Sequence, residues 1–236
     1  MGSSFTIDDV AAPDNLWVAW KKARRGKRRR HDVEAFGARV ESHLLELSLE
    51  LRDGTWQPGG YREFLIHEPK RRVIAAAPFR DRVVHHALCH LLAPTLEHRF
   101  IARSFSCQTG KGTIAARECC RHLVNRFPYV LKCDVSKFFP QIDHDILWQK
   151  LADSVPCPGV QTLIRRILAS YRTGPEIPAV CFPGDDLAMV AERPRGLPIG
   201  NLTSQLWGNF YLDAMGTMRS PKARPMVPTC AIPTTS

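Results

Sequence analysis

The sequence YVLKCDVSKFFPQID, residues 129–143, decides the fold that we expect for this chain. Residues 129–131 are apolar and β-prone, which predicts a strand buried beneath helices. Asp134 follows at the point where that strand should end. A carboxylate at the carboxyl end of a buried strand suits Mg²⁺, which prefers oxygen ligands and binds one or two carboxylates together with substrate phosphates. The alternative is that Asp134 caps a turn through its own side chain.

The length and composition are those of a globular protein of one or two domains. The chain has 236 residues, of which 44% are hydrophobic and 24% are charged. Its eight cysteines include no CxxC motif and lie scattered in apolar stretches, which indicates reduced thiols rather than a disulfide framework. No apolar run approaches the ~18 residues of a membrane span, and no signal peptide is present. We therefore expect a cytoplasmic protein that does not enter a membrane.

The net charge of +10 predicts a polyanionic partner, and nucleic acid is the first hypothesis. The excess is concentrated in residues 21–30, where eight of ten residues are cationic. These residues are Lys21, Lys22, Arg24, Arg25, Lys27, Arg28, Arg29 and Arg30. A solvated face or a membrane-surface patch is the alternative interpretation of such a run.

Helices flank the basic run, and a hairpin follows them. Residues 13–20 and 30–51 form the predicted helical pair, and the second helix carries an apolar stripe at helical spacing. Strands are predicted at residues 61–66 and 72–77. Lys70 and Arg72 lie two apart at the tip and could grip a triphosphate, although surface charge on an edge strand explains them equally well.

A helix is predicted over residues 80–92, ending near Pro94. Arg80 and Arg82 at its start join the candidate nucleic-acid-binding residues. His86 and His90, with Cys89 beside them, have helical spacing suited to zinc, but core and surface roles are the simpler explanation because no second ligand pair has metal-site spacing.

Two glycine turns complete the pattern. The first, residues 110–113, begins a helix where Lys111 could hold a phosphate, or it is a plain helix start. The second, residues 196–200, leads into a helix from Leu202 and lets the backbone approach a ligand closely, or serves packing alone. Between the two, Asp143 is predicted to be the N-cap of a helix over residues 145–151, so we do not assign it to a metal. A helix over residues 159–170 and a Pro/Gly-rich loop to residue 194 follow.

Taken in order, these motifs resemble those of reverse transcriptases over roughly residues 15–218. The matching stretches are YREFLIHEPKRRVIAAAPFRDRVVHHAL, SFSCQTGKGT, LKCDVSKFF and GLPIGNLTSQ. The resemblance implies that Asp134 and the carbonyl of Val135 bind Mg²⁺ and that Phe139 excludes a ribose 2′-hydroxyl. It further implies that Lys70 and Arg72 hold the incoming triphosphate, and that Pro198, Ile199 and Gly200 lie under the templating pair.

Ile199 and the pair Ser204–Gln205 are similar to the branch of diversity-generating retroelements, and the resemblance makes Ser204 and Gln205 candidate nucleic-acid-binding residues. That resemblance implies an error-prone copier of a template RNA, with a DNA primer, deoxynucleoside triphosphates and a small basic accessory protein as partners. Two Mg²⁺ ions would require adjacent aspartates after Gly200, and the sequence has none there. We therefore expect a chain truncated or frame-shifted before that motif, with an incomplete metal site and no thumb.

The fold class expected is α/β (α+β), with polymerase fingers and an incomplete palm whose uncovered edge exposes apolar surface. The expected regions are a helical basic segment (1–55), fingers (56–125), a partial palm (126–218) and a Pro-rich irregular tail (219–236). Two hypotheses follow. One is an RNA-directed DNA polymerase domain using two-metal nucleotidyl transfer, inactive as given, and the other is a non-catalytic basic RNA-binding remnant.

Overall fold

The computed structural model describes residues 5–67, 71–108, 110–181 and 183–216. Within these residues the chain is α+β, with eleven helices and one two-stranded sheet. The helices are α1 (Ile7–Ala11), α2 (Pro13–Ala23), α3 (His31–Ala38), α4 (Val40–Arg52), α5 (Phe79–Glu97), α6 (Thr113–Arg126), α7 (Phe138–Gln141), α8 (His144–Ala152), α9 (Pro158–Ala169), α10 (Leu187–Glu192) and α11 (Leu202–Gly216). None of these helices is long and apolar enough to cross a membrane.

Helix α5 lies at the centre of the hydrophobic core and packs against α2 and α11. Leu88, Leu92 and Leu96 recur at every fourth position of α5 and are fully buried. The helix continues through Pro94, so the predicted end near that residue was wrong. An internal proline costs a helix about 3 kcal/mol. The buried leucines on both sides of Pro94 offset that cost, because ending the helix there would expose Leu96.

The predicted hairpin is present as β1 (Arg62–Ile66) and β2 (Arg72–Ala76), paired antiparallel with Arg62 opposite Ala76 and Ile66 opposite Arg72. Residues 68–70 at its tip, including Lys70, lie outside the described residues. Ala75 is buried, whereas Phe64 and Val73 are more than two-fifths exposed. Ala75 is the one buried residue of the two strands, so the hairpin contributes little to the core.

The single helix predicted over residues 30–51 is divided into α3 and α4. Arg39 between them leaves the helical region of the backbone, with φ −133° and ψ 45°. The break lets Phe36 pack edge-on against Phe79, with ring centroids 5.2 Å apart, while Leu44, Leu47 and Leu51 of α4 reach the core separately. The packing of α3 and of α4 thus decides where the predicted helix is interrupted.

The cap predicted at Asp143 is confirmed. Its side chain accepts hydrogen bonds from the backbone amides of Asp145 and Ile146, and α8 begins at His144. Helix α9 confirms the helix predicted over residues 159–170. The loop before Pro194 contains the short helix α10, which begins at the capping side chain of Asp186 and was not expected.

The strand predicted at residues 129–131 is not formed in the structure. Tyr129, Val130 and Leu131 are 88%, 67% and 87% exposed, and no β-ladder includes them among the described residues. A strand needs a partner for its backbone groups, and β-prone side chains do not replace that partner. These three residues expose apolar surface, but not at the sheet edge that was expected, since no sheet is described at this segment.

Candidate nucleic-acid and nucleotide site

Asp134 lies on the exposed segment that follows α6, not on a buried strand. Its Oδ1 accepts a hydrogen bond from the amide of Val135 at 3.0 Å, so the carboxylate is oriented by its own backbone. Val135 is 47% exposed. This local contact is the kind that the turn alternative predicts.

Phe139 lies close to Asp134 in the sequence but packs inward. Its ring contacts Phe138 with centroids 5.3 Å apart, and a Cβ added at Gly208 of α11 would meet its Cε1 at 3.1 Å. The carbonyl of Phe139 accepts a hydrogen bond from the amide of Leu197 at 2.9 Å. The segment after Asp134 is thus fixed to both α11 and the second glycine turn.

The second glycine turn, residues 196–200, also contacts the hairpin. The carbonyl of Ile199 accepts a hydrogen bond from the amide of Ala75 in β2 at 3.1 Å. Gly200 has φ +115°, and a Cβ there would lie 3.0 Å from Cγ2 of Ile74. Pro198 is buried and Ile199 half-buried. Three stretches far apart in the sequence therefore meet at this turn.

Gly196 at the start of the turn is held still more tightly. It has φ +101°, and a Cβ there would lie 2.0 Å from Oγ1 of Thr173. Its amide donates to the carbonyl of Ile142 at 2.8 Å, and its carbonyl lies 2.7 Å from Nε2 of the His144 ring. Only glycine fits this combination of angle and space.

Side chains that the sequence analysis did not single out hold this turn in place. The buried guanidinium of Arg195 donates to the carbonyls of Ile177 and Pro140. Arg193 forms ion pairs with Asp185 at 2.5 Å and with Asp143 at 3.5 Å. Two arginines within three residues of Gly196, Arg193 and Arg195, were the signal that could have indicated these contacts.

The two residues expected at the start of α11 differ in their surroundings. Ser204 is 1% exposed, and no described residue is a hydrogen-bond partner of its Oγ. Gln205 is exposed. Ser204 is therefore part of the packed face of α11, and Gln205 is the member of the pair that a ligand can reach.

Arg72 begins β2 and is half-buried. One of its guanidinium nitrogens, Nη2, is screened from solvent and has no hydrogen-bond partner among the described residues. An unmade hydrogen bond at a buried donor costs about 1–3 kcal/mol, more when the group is charged. The guanidinium of Arg72 thus has one N–H group that could donate a hydrogen bond to a ligand.

The basic run covers the end of α2 and the turns between α2 and α3. Lys21, Lys22, Arg25, Lys27, Arg28 and Arg29 are exposed, while Arg24 and Arg30 are half-buried. The guanidinium of Arg24 lies 4.0 Å from the centroid of the buried Trp20 ring, and the ammonium of Lys21 lies 5.3 Å from that of Trp17. The aromatic rings anchor the stems of the run and leave its other cations facing solvent.

The remaining predicted cations have partners within the protein. Arg80 forms an ion pair with Glu50, and Arg82 forms one with Asp32 at 2.8 Å. The ammonium of Lys111 donates to the carbonyls of Ala102 and Ser104 at 3.1 and 2.9 Å. Lys111 therefore closes the loop before α6, where the sequence suggested a phosphate ligand.

The histidines of α5 are accounted for by packing. Nδ1 of His90 lies 2.9 Å from Oδ1 of Asn15, whose amide group donates to the carbonyls of Val10 and Ala87. Burial raises the pKa of the Cys89 thiol to about 12, which keeps it protonated and unsuited to zinc. Burial, together with nearby cations, lowers the pKa of His86 to about 4.

Comparisons with known proteins agree at the level of the fold. No family model and no curated protein matches the chain. Solved structures that are similar include a chain of a "Partial Cas6-RT-Cas1--Cas2 complex" and a chain of a "Cas6-RT-Cas1--Cas2 complex", both with 20% sequence identity and a TM-score of 0.55 over 90% of this chain. The match covers 34% of the first chain and 22% of the second. The chain thus shares its fold with part of complexes that include a reverse transcriptase, RT in these titles.

Proposed function

We propose that this chain is the fingers and part of the palm of a reverse-transcriptase-type polymerase, an RNA-directed DNA polymerase by class. The observation that carries the proposal is the convergence at the second glycine turn. There, hydrogen bonds join Leu197 to Phe139 and Ile199 to Ala75 of the hairpin. The motifs that resemble the nucleotide-binding segments of the family thus contact one another, on a fold similar to that of the RT complexes.

The proposal assigns the nucleotide to the hairpin and the second glycine turn. Within the described part of the chain, Nη2 of Arg72 has no hydrogen-bond partner, and the exposed Gly200 has no side chain, so that its backbone lies close to Ile74 of the hairpin. The partners are an RNA template, a DNA primer, deoxynucleoside triphosphates and a small basic accessory protein. Ile199 and Ser204–Gln205 support the finer assignment to the retroelement branch, because they repeat its sequence pattern.

The Mg²⁺ ions that the resemblance implies do not fit the described residues. These residues contain no group of three or more His, Cys, Asp or Glu side chains that could hold a metal ion. Asp134 is a single exposed carboxylate, and a two-metal site needs several. We therefore assign no chemical step to a metal in this chain and expect little or no polymerisation by the chain alone.

Nucleotide binding tests the proposal without requiring chemistry. The affinity of the chain for a fluorescent deoxynucleoside triphosphate should rise when a DNA primer annealed to RNA is present. Arg72→Gln should weaken nucleotide binding on the order of tenfold, because a charge-assisted hydrogen bond to phosphate is lost. Arg71→Gln, which removes the same charge from the exposed neighbouring position, is the matched control. Equal losses in both variants, or no nucleotide binding, would reject the proposal.

Primer extension on an RNA template tests the expected lack of polymerisation. Product made by the chain alone and abolished by Asp134→Ala, but not by Asp145→Ala at the exposed start of α8, would overturn that expectation. Absence of product would agree with it.

A non-catalytic basic RNA-binding protein is the second candidate. It is favoured by the exposed cations of residues 21–30 and by the lack of a carboxylate cluster within the described residues. It predicts RNA binding that falls steeply with salt and survives Asp134→Ala. It also predicts that Arg72→Gln does not change the affinity for any nucleotide.

A further inference from the structure

Several basic side chains gather around one carboxylate between the N-terminal helices and the hairpin. Asp32, in the first turn of α3, lies 2.8 Å from Nη2 of Arg82 and 3.1 Å from Nε of Arg30. Arg62 of β1 and Lys27 of the basic run lie within electrostatic reach of Arg82. We call Lys27, Arg30, Arg62 and Arg82 the cation cluster. Four positive charges thus share one negative charge.

The cations of the cluster repel one another, which lowers the pKa of two of them. Burial lowers the pKa of the Arg82 guanidinium; Arg30 and Arg62 lower it further, whereas Asp32 acts in the opposite direction. Burial also lowers the pKa of the Lys27 ammonium, and Arg82 and Arg30 add to that effect. Like charges held this closely disfavour one another unless an anion lies among them.

A cleft of about 660 Å³ opens beside the cation cluster. Arg30, His31 and Asp32 line one side, and Gly60, Arg62 and residues 76–78 line the other. Arg82 does not line the cleft, but its side chain, 11% exposed, pairs with Asp32, which does; within the described residues its Nε has no hydrogen-bond partner. The cleft therefore has Arg30 and Arg62 on its two sides and, next to Asp32, a guanidinium donor that the ion pair does not satisfy.

We propose that the cation cluster and its cleft bind the phosphate backbone of single-stranded nucleic acid, with one phosphate replacing Asp32 between Arg30 and Arg82. Guanidinium groups present paired donors that match phosphate oxygens. The exposed Arg25, Arg28 and Arg29 extend the positive charge away from the cluster, as a continuous backbone requires.

Nucleic acid, and not an acidic peptide, is the ligand that the net charge of +10 and the neighbouring basic run favour. The choice of nucleic acid as ligand rests on the proposed function, whereas the location of the site rests on the cation cluster.

The binding of a fluorescein-labelled single-stranded RNA, measured by fluorescence anisotropy across a salt series, tests the site. Arg30→Gln combined with Arg62→Gln should weaken binding on the order of tenfold and flatten the dependence of log K on log salt by about 1.4, since each phosphate contact in a single strand contributes ~0.7. The matched control is Arg103→Gln combined with Arg121→Gln, which removes the same charge from exposed positions elsewhere. Melting curves of both double variants verify that they fold.

Asp32→Asn gives the sharper test because it should act in the opposite direction. If Asp32 occupies the place of a phosphate, its removal should tighten RNA binding several-fold. Glu46→Gln adds the same net charge at an exposed position of α4 and should have a smaller effect. Inorganic pyrophosphate should also raise the melting temperature of Asp32→Asn by more than it raises that of the unaltered chain. Comparing these two increases separates phosphate affinity from any loss of fold stability.

The outcomes separate this inference from the proposed function. RNA binding that is equal in the cluster and control double variants, or an Asp32→Asn effect no larger than that of Glu46→Gln, overturns the inference and leaves the proposed function standing. No RNA binding by the unaltered chain overturns both. Poly-glutamate could bind as tightly as RNA and lose as much affinity in the cluster double variant. The ligand would then be an acidic peptide, and the inference would be overturned. Pyrophosphate binding without RNA binding overturns the backbone assignment.

Discussion

Helix α5 and the region that follows it, residues 113–137, are both rich in apolar residues but differ in what covers them. In α5, ten of nineteen residues are buried, because α2 and α11 pack against it. We call the second region the exposed arm. Ala116 is the one buried residue of its helix α6, and the side chains of residues 129–131 are 67–88% exposed. The difference shows that a partner, and not hydrophobicity by itself, decides whether an apolar stretch becomes core.

The largest contrast should come from the same substitution in the two regions. Leu88 of α5 is fully buried and Leu131 of the exposed arm is 87% exposed. Leu88→Ala should lower the free energy of unfolding by about 3–5 kcal/mol, since it leaves a cavity in the core. Leu131→Ala should change it by less than ~0.5 kcal/mol. Urea denaturation followed by circular dichroism measures both, and a loss above ~1 kcal/mol for Leu131→Ala would show that the exposed arm is covered in solution.

Two glycines with positive φ sharpen the comparison at the backbone level. Gly196 lies against Thr173, whereas Gly110, before the exposed arm, has φ +75° with nothing within 4 Å of an added Cβ. Gly196→Ala should cost about 2–4 kcal/mol, because the unfavourable angle adds to a clash. Gly110→Ala should cost about 1–2 kcal/mol for the angle alone. Similar melting temperatures for the two variants would contradict the packing at the second glycine turn.

The pH dependence of stability should come from the core and not from the exposed arm. Burial lowers the pKa of His85 in α5 from 6.5 to about 3, with His86 and Arg82 adding to the effect. Below pH 6.5 the unfolded chain binds a proton at this residue and the folded chain does not, so stability falls as the pH drops toward 3. The loss from His85 should reach about 2 kcal/mol at pH 5, at ~1.4 kcal/mol per pH unit.

Denaturation at pH 7 and pH 5 checks this expectation. His85→Gln should remove the corresponding part of the pH dependence, whatever its effect at pH 7. His122→Gln, on the exposed face of α6, is the control and should leave the slope unchanged. An unaltered slope in His85→Gln would mean that the histidine is not buried in its neutral form.

The smallest contrast is expected between two helix caps. Asp143 caps α8 in the core and accepts two backbone hydrogen bonds, while Asp186 caps the short helix α10 with one. Asp143→Ala should cost about 1–2 kcal/mol, because the cap and the ion pair with Arg193 are both lost. Asp186→Ala should cost less than ~1 kcal/mol, since α10 has six residues and its loss disturbs little else. Thermal melts of the two variants compare them directly.

Local signals in the sequence predicted the hairpin, the helix following Asp143 and the helix starting at Leu202, because alternation, caps and helical spacing act over a few residues. They failed where distant packing decides, as at Pro94, Arg39 and residues 129–131. At the candidate site the sequence indicated Phe139 and residues 198–200. It could not indicate that Leu197 bonds to Phe139, or that Thr173 fills the space beside Gly196, because those contacts join segments more than twenty residues apart.

The second glycine turn also has a mechanical consequence. Leu197 is hydrogen-bonded to Phe139 and Ile199, two residues later, to Ala75 of the hairpin. The turn is rigidly seated by Gly196, so it has little freedom to absorb a displacement. A displacement of the hairpin would therefore be transmitted through the turn to the backbone carbonyl of Phe139, so that the two segments would move together.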